Sequence, residues 1–346
     1  MESIASKNVF VGLSGGVDSA VSAALLQNAG AHVTGVFIKG WYPPGMPCTW
    51  AEDRRDAMRV AAHLGVPFHT LDASTEYKQG VIDYLISEYA AGRTPNPDIM
   101  CNREVKFGAF YRFAKEHNAD FIATGHYAQT KDGQLFRGID PSKDQSYFLW
   151  AVPKEALSQT LFPVGGLPKS EVRALAEKFN LPVAQKKDSQ GICFLGSISV
   201  DEFLRNELKT EEGDVLDETG QKIGTHDGAV LHTLGERITP HDAEQGPWYV
   251  VRKDLAINVL VVRHGSAAFE TPPATLTLRD TNWFTPDALE GTLEAQYRYH
   301  GSVTAGTYDK KTSTFTPSVP LPEPIAAGQS LVLYVGDSCI GGGIIE

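Results

Sequence analysis

Apolar positions in the first part of the chain switch repeatedly between two periods. Asn8–Leu13 (NVFVGL) is a short apolar run of strand length, and Asp18–Ala29 carries apolar residues at helical spacing before closing at Gly30. The alternation continues with strands over His32–Ile38, Pro67–Leu71 and Asp120–Thr124. Helices fall between and after them, over Glu52–Leu64, Tyr77–Ala91, Glu104–His117 and Lys169–Phe179. Strands alternating with helices imply a parallel sheet with helices on both faces. Beyond about residue 200 the texture changes. One more helix fits Asp201–Leu208. Short β-rich runs then follow between Gly, Asp and Asn turns, at Ala229–Thr233, Trp248–Val251, Asn258–Val262, Ala274–Leu278, Thr292–Tyr299, Ser330–Tyr334 and Gly341–Ile345. That spacing predicts antiparallel β structure in small barrels. The Pro-bearing stretch Glu270–Pro273 is a boundary within it.

Length fits this division, since 346 residues exceed one average domain. The net charge of −11 argues against a broadly basic nucleic-acid coat. The charge is unevenly spread, however. Residues 1–200 hold 20 Lys+Arg and 20 Asp+Glu, net 0, whereas residues 201–346 hold 11 and 22, net −11. No apolar run approaches membrane-spanning length, and the N-terminus lacks the pattern of a secretory signal. A cytoplasmic protein is expected, with no membrane partner. Its four cysteines (Cys48, Cys101, Cys193, Cys339) then read as packing, metal or redox residues, not as a disulfide framework.

The strongest chemical signal is Ser14-Gly15-Gly16-Val17-Asp18-Ser19, directly after the first strand and opening the first helix. Two glycines allow a tight turn, and the N–H groups of a helix start, with the Ser14 and Ser19 hydroxyls, can cradle an anion. No Gly-Lys-Ser/Thr follows, so this is not the ordinary P-loop. A second constellation runs from Gly92-Arg93-Thr94-Pro95-Asn96-Pro97-Asp98 into Cys101, with a carboxylate three residues before a thiol. Its two prolines read as a rigid, non-helical loop. A third is Lys186-Lys187-Asp188-Ser189-Gln190-Gly191-Ile192-Cys193, where a lysine pair precedes a thiol and favours its thiolate.

SGGVDS resembles the PP-loop of the N-type ATP pyrophosphatases. With GRTPNPDIMCNREVKF, ATGHYA, KDQSYFL, LFPVG, KKDSQGICF, PWYVV and GGGIIE, the whole chain resembles the bacterial tRNA-specific 2-thiouridylases, the MnmA family. The fold class expected is α/β: a Rossmann-like PP-loop domain with a parallel sheet (1–200), then two small β-rich, barrel-like domains (201–270 and 271–346). The resemblance implies ATP-dependent replacement of the C2 oxygen of a tRNA wobble uridine by sulfur. The oxygen is adenylated, sulfur arrives through a cysteine persulfide, and AMP and pyrophosphate leave.

By the same resemblance, Gly12, Leu13, Ser14, Gly15, Gly16, Val17, Asp18, Ser19, Ile38 and Gly125 meet ATP, with Asp18 helping to organise Mg²⁺ and pyrophosphate. Asn96, Pro97 and Asp98 meet the target base, and Asp98 is the general acid/base. Cys193 receives sulfur from a persulfide donor protein of a sulfur relay. Cys101 is the partner thiol, and a reductant reopens the resulting Cys101–Cys193 disulfide. His126, Lys143, Asp144, Gln145, Arg298, Tyr299 and Gln329 contact tRNA. A monomer is expected, because tRNA wraps across several domains. No permanent prosthetic group or bound metal is expected, since no CxxC accompanies Cys48.

Two departures from the family pattern stand out. Leu234-Gly235-Glu236-Arg237-Ile238-Thr239-Pro240 replaces a more basic central element and weakens phosphate contact there. Ile38 stands where methionine is common, which still packs on adenine. Two other readings compete with thiolation. One is a PP-loop ligase of a small metabolite, resembling an amidotransferase-like synthetase, which needs no paired cysteines. The other is a non-catalytic tRNA-binding protein.

Overall fold

The structure is a computed structural model that describes residues 4–43, 50–187, 200–241, 246–265, 273–322 and 324–346. Cys48, Cys193 with residues 188–192, and most of the Glu270–Pro273 boundary lie outside the described residues. The N-terminal sheet uses β1 (Asn8–Gly12), β2 (His32–Lys39), β3 (Phe68–Asp72), β4 (Phe121–Ala123) and, after a hairpin of β5 (Ala128–Lys131) and β6 (Gln134–Arg137), β7 (Thr160–Leu161). Its order is β3-β2-β1-β4-β7, and every pairing is parallel. Helix α1 (Val17–Asn28) follows β1, and α2 (Trp50–Leu64) joins β2 to β3. Strand order reverses between β1 and β4, which places a crevice beyond their C-terminal ends.

Two β-rich units come next. In the first, β8 (Gly213–Asp217), β9 (Lys222–His226), β10 (Arg237–Ile238), β11 (Trp248–Asp254) and β12 (Val259–His264) form a sheet of order β10-β11-β12-β8-β9. The second holds β13 (Leu276–Trp283), β14 (Leu293–Gln296), β15 (Val303–Asp309), β16 (Thr314–Pro317), β17 (Ser330–Val335) and β18 (Ser338–Ile345). Its order β13-β16-β15-β14-β17-β18 closes through a β13–β18 pairing, giving a barrel with no open edge in the ring. Leu278, Leu293, Tyr297, Phe315 and Leu331 fill it. The fold is thus the expected α/β class with two barrel-like β domains.

Two local expectations are corrected, and one pairing was not foreseen. Residues 97–116 are helical throughout: Pro97 occupies the first turn, where its missing N–H costs nothing, and the Asn96 side chain caps the helix. The rigid loop therefore ends at Asn96, and Asp98 and Cys101 stand on a helix. Residues 101–109 are wound more widely, with i→i+5 bonding. Second, Ala229–Leu231 is a 3₁₀ turn, entered through Gly228 at φ 140°, not a strand. The unforeseen pairing is that of the β5–β6 hairpin, which extends the C-terminal sheet with Leu135 opposite Cys339.

All three units meet at residues 88–96. Glu88, with its side chain 6% exposed, accepts Nε and NH2 of Arg93 at 2.8 and 2.7 Å and NH2 of Arg279 from β13 at 2.6 Å. Lys253 of β11 donates to the carbonyls of Gly92 (2.8 Å) and His232 (2.6 Å), and the Thr94 and Thr233 hydroxyls bond at 3.0 Å. Thr94 N–H donates to the Ala327 carbonyl, and Gln329 Nε2 to the Thr94 carbonyl at 2.7 Å. A buried carboxylate stripped of its cations is costly, whereas an apolar replacement is not. The pair Arg93→Ala and Arg279→Ala is expected to cost about 3–5 kcal/mol. Adding Glu88→Met should recover most of that. Thermal unfolding checks this, and a pair of alanines with no loss would refute it.

Candidate active site

The PP-loop is shaped before any anion enters. Gly15 takes φ +76°, and a side chain there would run into the Asp53 carbonyl of α2. The Ser14 and Ser19 hydroxyls bond at 3.2 Å, Ser14 Oγ accepts the Gly16 N–H at 3.3 Å, and Ser19 Oγ donates to the Gly16 carbonyl at 3.2 Å. These bonds fix the turn while the first N–H groups of α1 point out of it. Gly125 presses on the loop so closely that a Cβ there would lie 2.6 Å from the Ser19 nitrogen. Asp18 is held by the Lys169 ammonium, at 2.7 and 2.9 Å, and by the Tyr127 hydroxyl at 2.8 Å. Gly12, Ile38 and Phe110 adjoin one another just before the loop. The residues expected to meet ATP, Gly12 to Ser19 with Ile38 and Gly125, are therefore gathered at one place.

The helix over residues 97–116 packs toward that place through Phe110, beside Gly12, and Phe107, beside His126. Asp98 and Cys101 are three residues apart on it and share a face. Asn96 Oδ1 accepts the Asp98 N–H at 3.1 Å. Asp98 is reached by solvent yet walled by protein, and this loss of hydration pushes its carboxyl above the ordinary range while the Lys106 ammonium pulls it back. Cys101 is half-buried. Phe107 meets His126 at 5.7 Å between ring centres, and Phe162 lies 6.0 Å from the same imidazole. Burial, helped by Lys106, drives the His126 pKa well below its usual 6.5, and Thr124 Oγ1 pairs with Nδ1 at 2.7 Å. His126 is thus neutral at physiological pH and is no phosphate cation.

The expected tRNA-contacting residues divide in two. Asp144, Gln145 and Gln329 turn inward. Asp144 accepts the N–H groups of Gly138 and Ser146 at 2.8 and 3.1 Å and lies 3.4 Å from Arg137. Gln145 Oε1 accepts the Tyr127 N–H at 3.0 Å, and Gln329 is spent on Thr94. Lys143 is half-exposed. Tyr299 packs 4.4 Å from Phe148 between ring centres, and Asn102, beside Cys101, donates to the Phe148 carbonyl at 2.9 Å. The C-terminal barrel therefore reaches the thiol helix through Tyr299. Arg298 donates to the Pro324 carbonyl at 2.8 Å.

Two charged residues near these elements have partners of their own. Lys186 was expected to favour the Cys193 thiolate. Its ammonium pairs with Asp53 and Asp56 of α2, at 2.9 and 2.8 Å, and Cys193 lies outside the described residues. Glu236 of the altered central element accepts the Thr233 N–H at 2.7 Å and faces His232 at 3.2 Å, so it braces the turn whose Thr233 hydroxyl meets Thr94. Sequence reading missed Lys169, Tyr127 and Lys106. A lysine after Pro168 at a helix start gives no local sign of a partner on α1. Cys339 is buried in the core, which pushes its thiol up to about 12.

Comparison with known proteins now decides the family. The chain matches the tRNA methyl transferase HUP domain over residues 7–197, the tRNA methyl transferase PRC-barrel domain over 201–264 and the aminomethyltransferase beta-barrel domain over 274–345. A tRNA-specific 2-thiouridylase of Pseudomonas fluorescens is 43% identical over 354 residues, covering 98% of this chain and 95% of the relative. The chain belongs to the tRNA-specific 2-thiouridylase family. A Klebsiella pneumoniae member is 43% identical over 362 residues, 98% of this chain and 97% of its own. The U34-tRNA thiolase of Methanococcus maripaludis is 17% identical with a TM-score of 0.39 over 60% of this chain and 65% of that one, too remote for any role to be read from it.

The depressed His126 pKa makes a signed prediction. The unfolded chain takes up a proton below about pH 6.5 that the native chain refuses, so His126 makes stability fall as pH drops from that value. His126→Gln should flatten this slope in pH-dependent unfolding. An unchanged slope would refute the neutral imidazole.

Proposed function

We propose that this chain catalyses ATP-dependent 2-thiolation of a uridine in tRNA. The observation that carries the reading is a preformed PP-loop whose strand end, at Gly12, packs on Phe110 of the helix that bears Asp98 and Cys101 one turn apart. The methyl transferase wording of the family descriptions names a different chemistry, and methyl transfer requires no pyrophosphate cradle.

The N–H groups opening α1, with the Ser14 and Ser19 hydroxyls, bind the β,γ-pyrophosphate and draw charge onto the leaving group as it departs. The oxygen atoms of the loop, the Ser14 and Ser19 hydroxyls and the Asp18 carboxylate, suit the Mg²⁺ that accompanies ATP. That ion, when bound, offsets phosphate charge. Ile38 packs on adenine. Asn96 and Pro97 orient the uridine. Asp98, its carboxyl raised, holds a proton nearer neutral pH and exchanges it at the base as the C2 oxygen attacks the α-phosphorus. The activated oxygen then leaves as AMP.

Sulfur comes from a persulfide on Cys193, delivered by a donor protein. Cys101 attacks the inner sulfur, the outer sulfur bonds to C2, and a Cys101–Cys193 disulfide remains. A dithiol reductant restores both thiols, as the reducing cytoplasm allows. His126 and Tyr299 serve as uncharged surfaces toward the RNA, with Lys143 and Arg298 as its cations. The nucleotide is a consumed substrate, so no permanent prosthetic group is required, and the chain acts as a monomer.

Mass spectrometry of tRNA nucleosides after incubation with ATP, Mg²⁺ and a persulfide donor tests the reading. Wild type should exchange one oxygen for sulfur at uridine. Cys101→Ala should abolish the exchange, and Asp98→Asn should slow it by about 10²–10⁴-fold. Wild-type chain that releases pyrophosphate without forming thiouridine would sink the assignment.

A further inference from the structure

The i→i+5 winding of residues 101–109 is a rare conformation, and where it occurs it often marks a functional site. Here it is pinned at two buried residues five apart. Asn102 donates Nδ2 to the Phe148 carbonyl at 2.9 Å. Phe107 packs on His126 and Phe162, at 5.7 and 6.0 Å between ring centres. The residues just before these anchors are Cys101 and Lys106, also five apart, and both are half-buried at the border of the packed face. In an α-helix two such residues stand about 140° apart around the axis. The wider winding brings them toward one side, which is also the side of Asp98, one α-helical turn before Cys101.

That grouping meets a chemical demand. Cys101 attacks as a thiolate, whereas an ordinary thiol, with a pKa of about 8.5, is mostly protonated at pH 7. Partial burial and the Asp98 carboxylate both oppose a second anion. A cation beside the thiol offsets them. Lys106 acts at this spot, because its charge draws Asp98 back toward the ionised form and helps to keep His126 neutral. Other charges near the winding are matched close by. Arg103 bonds Glu104 at 2.7 Å, and Lys78 bonds Asp83 at 2.7 Å. The packed segments 74–77 and 154–158 add Glu76 in the one and Lys154 with Glu155 in the other. Residues 146–149 and the barrel present the Tyr147 and Tyr299 phenols, which burial holds in the neutral form.

We propose that Lys106 is a positioning residue for sulfur transfer, its ammonium set one widened turn from Cys101 to hold that thiol as the attacking thiolate. The proposal rests on the reading of Cys101 as the thiol that attacks the persulfide. The proton of Cys101 goes to solvent before the attack. The thiolate then bonds to the Cys193 sulfur, and the outer sulfur leaves with the electron pair of the broken S–S bond. Lys106 touches neither sulfur of the persulfide and acts only through Cys101.

Alkylation of the full chain with iodoacetamide across pH 6–10, without tRNA or ATP and read for each cysteine by peptide mass spectrometry, tests the assignment. In wild type the Cys101 rate should rise with a midpoint below about 8.5. Lys106→Met should raise that midpoint by about one unit, so that labelling at pH 7 slows about tenfold. Lys106→Arg should restore most of the rate. Cys339 is buried and should stay unlabelled in every variant that keeps its fold. In the thiouridine assay with a persulfide donor, Lys106→Met should lose about tenfold at pH 7 and recover most of it by pH 9, whereas a merely structural lesion lowers the rate equally at both. The same Cys101 midpoint in wild type and Lys106→Met, with Cys339 protected in both, would overturn the assignment. A wild-type chain that shows the lowered midpoint yet forms no thiouridine would instead overturn the thiolation reading, and the role in sulfur transfer with it.

Discussion

A single buried carboxylate organises the meeting of the three units. Glu88 is nearly closed to solvent, and a charge in that position persists only if cations come to it. Arg93 comes from the next turn of chain, and Arg279 from the far barrel. Their demand fixes the start of the Gly92–Asn96 loop, and Lys253, Thr233 and Gln329 hold its backbone and the Thr94 side chain. Asn96 is then set to cap the helix that carries Asp98 and Cys101. The geometry of the thiol thus depends on two domains that contribute neither the thiol nor the phosphate cradle.

Electrostatics inside the crevice arise from the same packing. Protein walls withdraw hydration from Asp98 and His126, raising one pKa and lowering the other, so both groups lean toward their neutral forms. Lys106 is the charge felt by both. Its position depends on the widened winding of residues 101–109. In an α-helix, residues five apart fall on different faces, whereas i→i+5 bonding brings them toward one face. The winding therefore turns Lys106 toward the side that bears Cys101. The acidic excess of the chain falls in residues 201–346, outside the unit that carries the PP-loop and Cys101.

What the sequence disclosed was mostly local. SGGVDS announced its turn because glycines, strand and helix lie within a few residues of each other. The five-stranded parallel sheet was readable from alternating periods, apart from the two-residue β7. Pro97 misled because proline forbids a helix interior but suits a helix start, and only the Asn96 cap tells the two apart. Val303–Asp309 alternates cleanly between exposed and buried positions, and its Gly and Thr content hid that rhythm. Lys169, Lys186 and Glu236 could not be placed, because each finds its meaning in partners that local patterning does not indicate. Cys193, the residue proposed to receive sulfur, lies outside the described residues.

The β5–β6 hairpin carries a cost in time. It is made early, yet its outer neighbour β18 emerges from the ribosome about 200 residues later. Until then β6 presents an unpaired strand edge, the kind of surface that recruits other chains. The Tyr334 ring, which stacks on Arg137 at 3.6 Å, is also missing during that interval. The catalytic unit is therefore unfinished at the moment its own sheet is complete. Newly made chains should be most vulnerable to association while the last barrel is being synthesised, and the C-terminal strand acts as the seal on a domain that began to fold at the other end of the polypeptide.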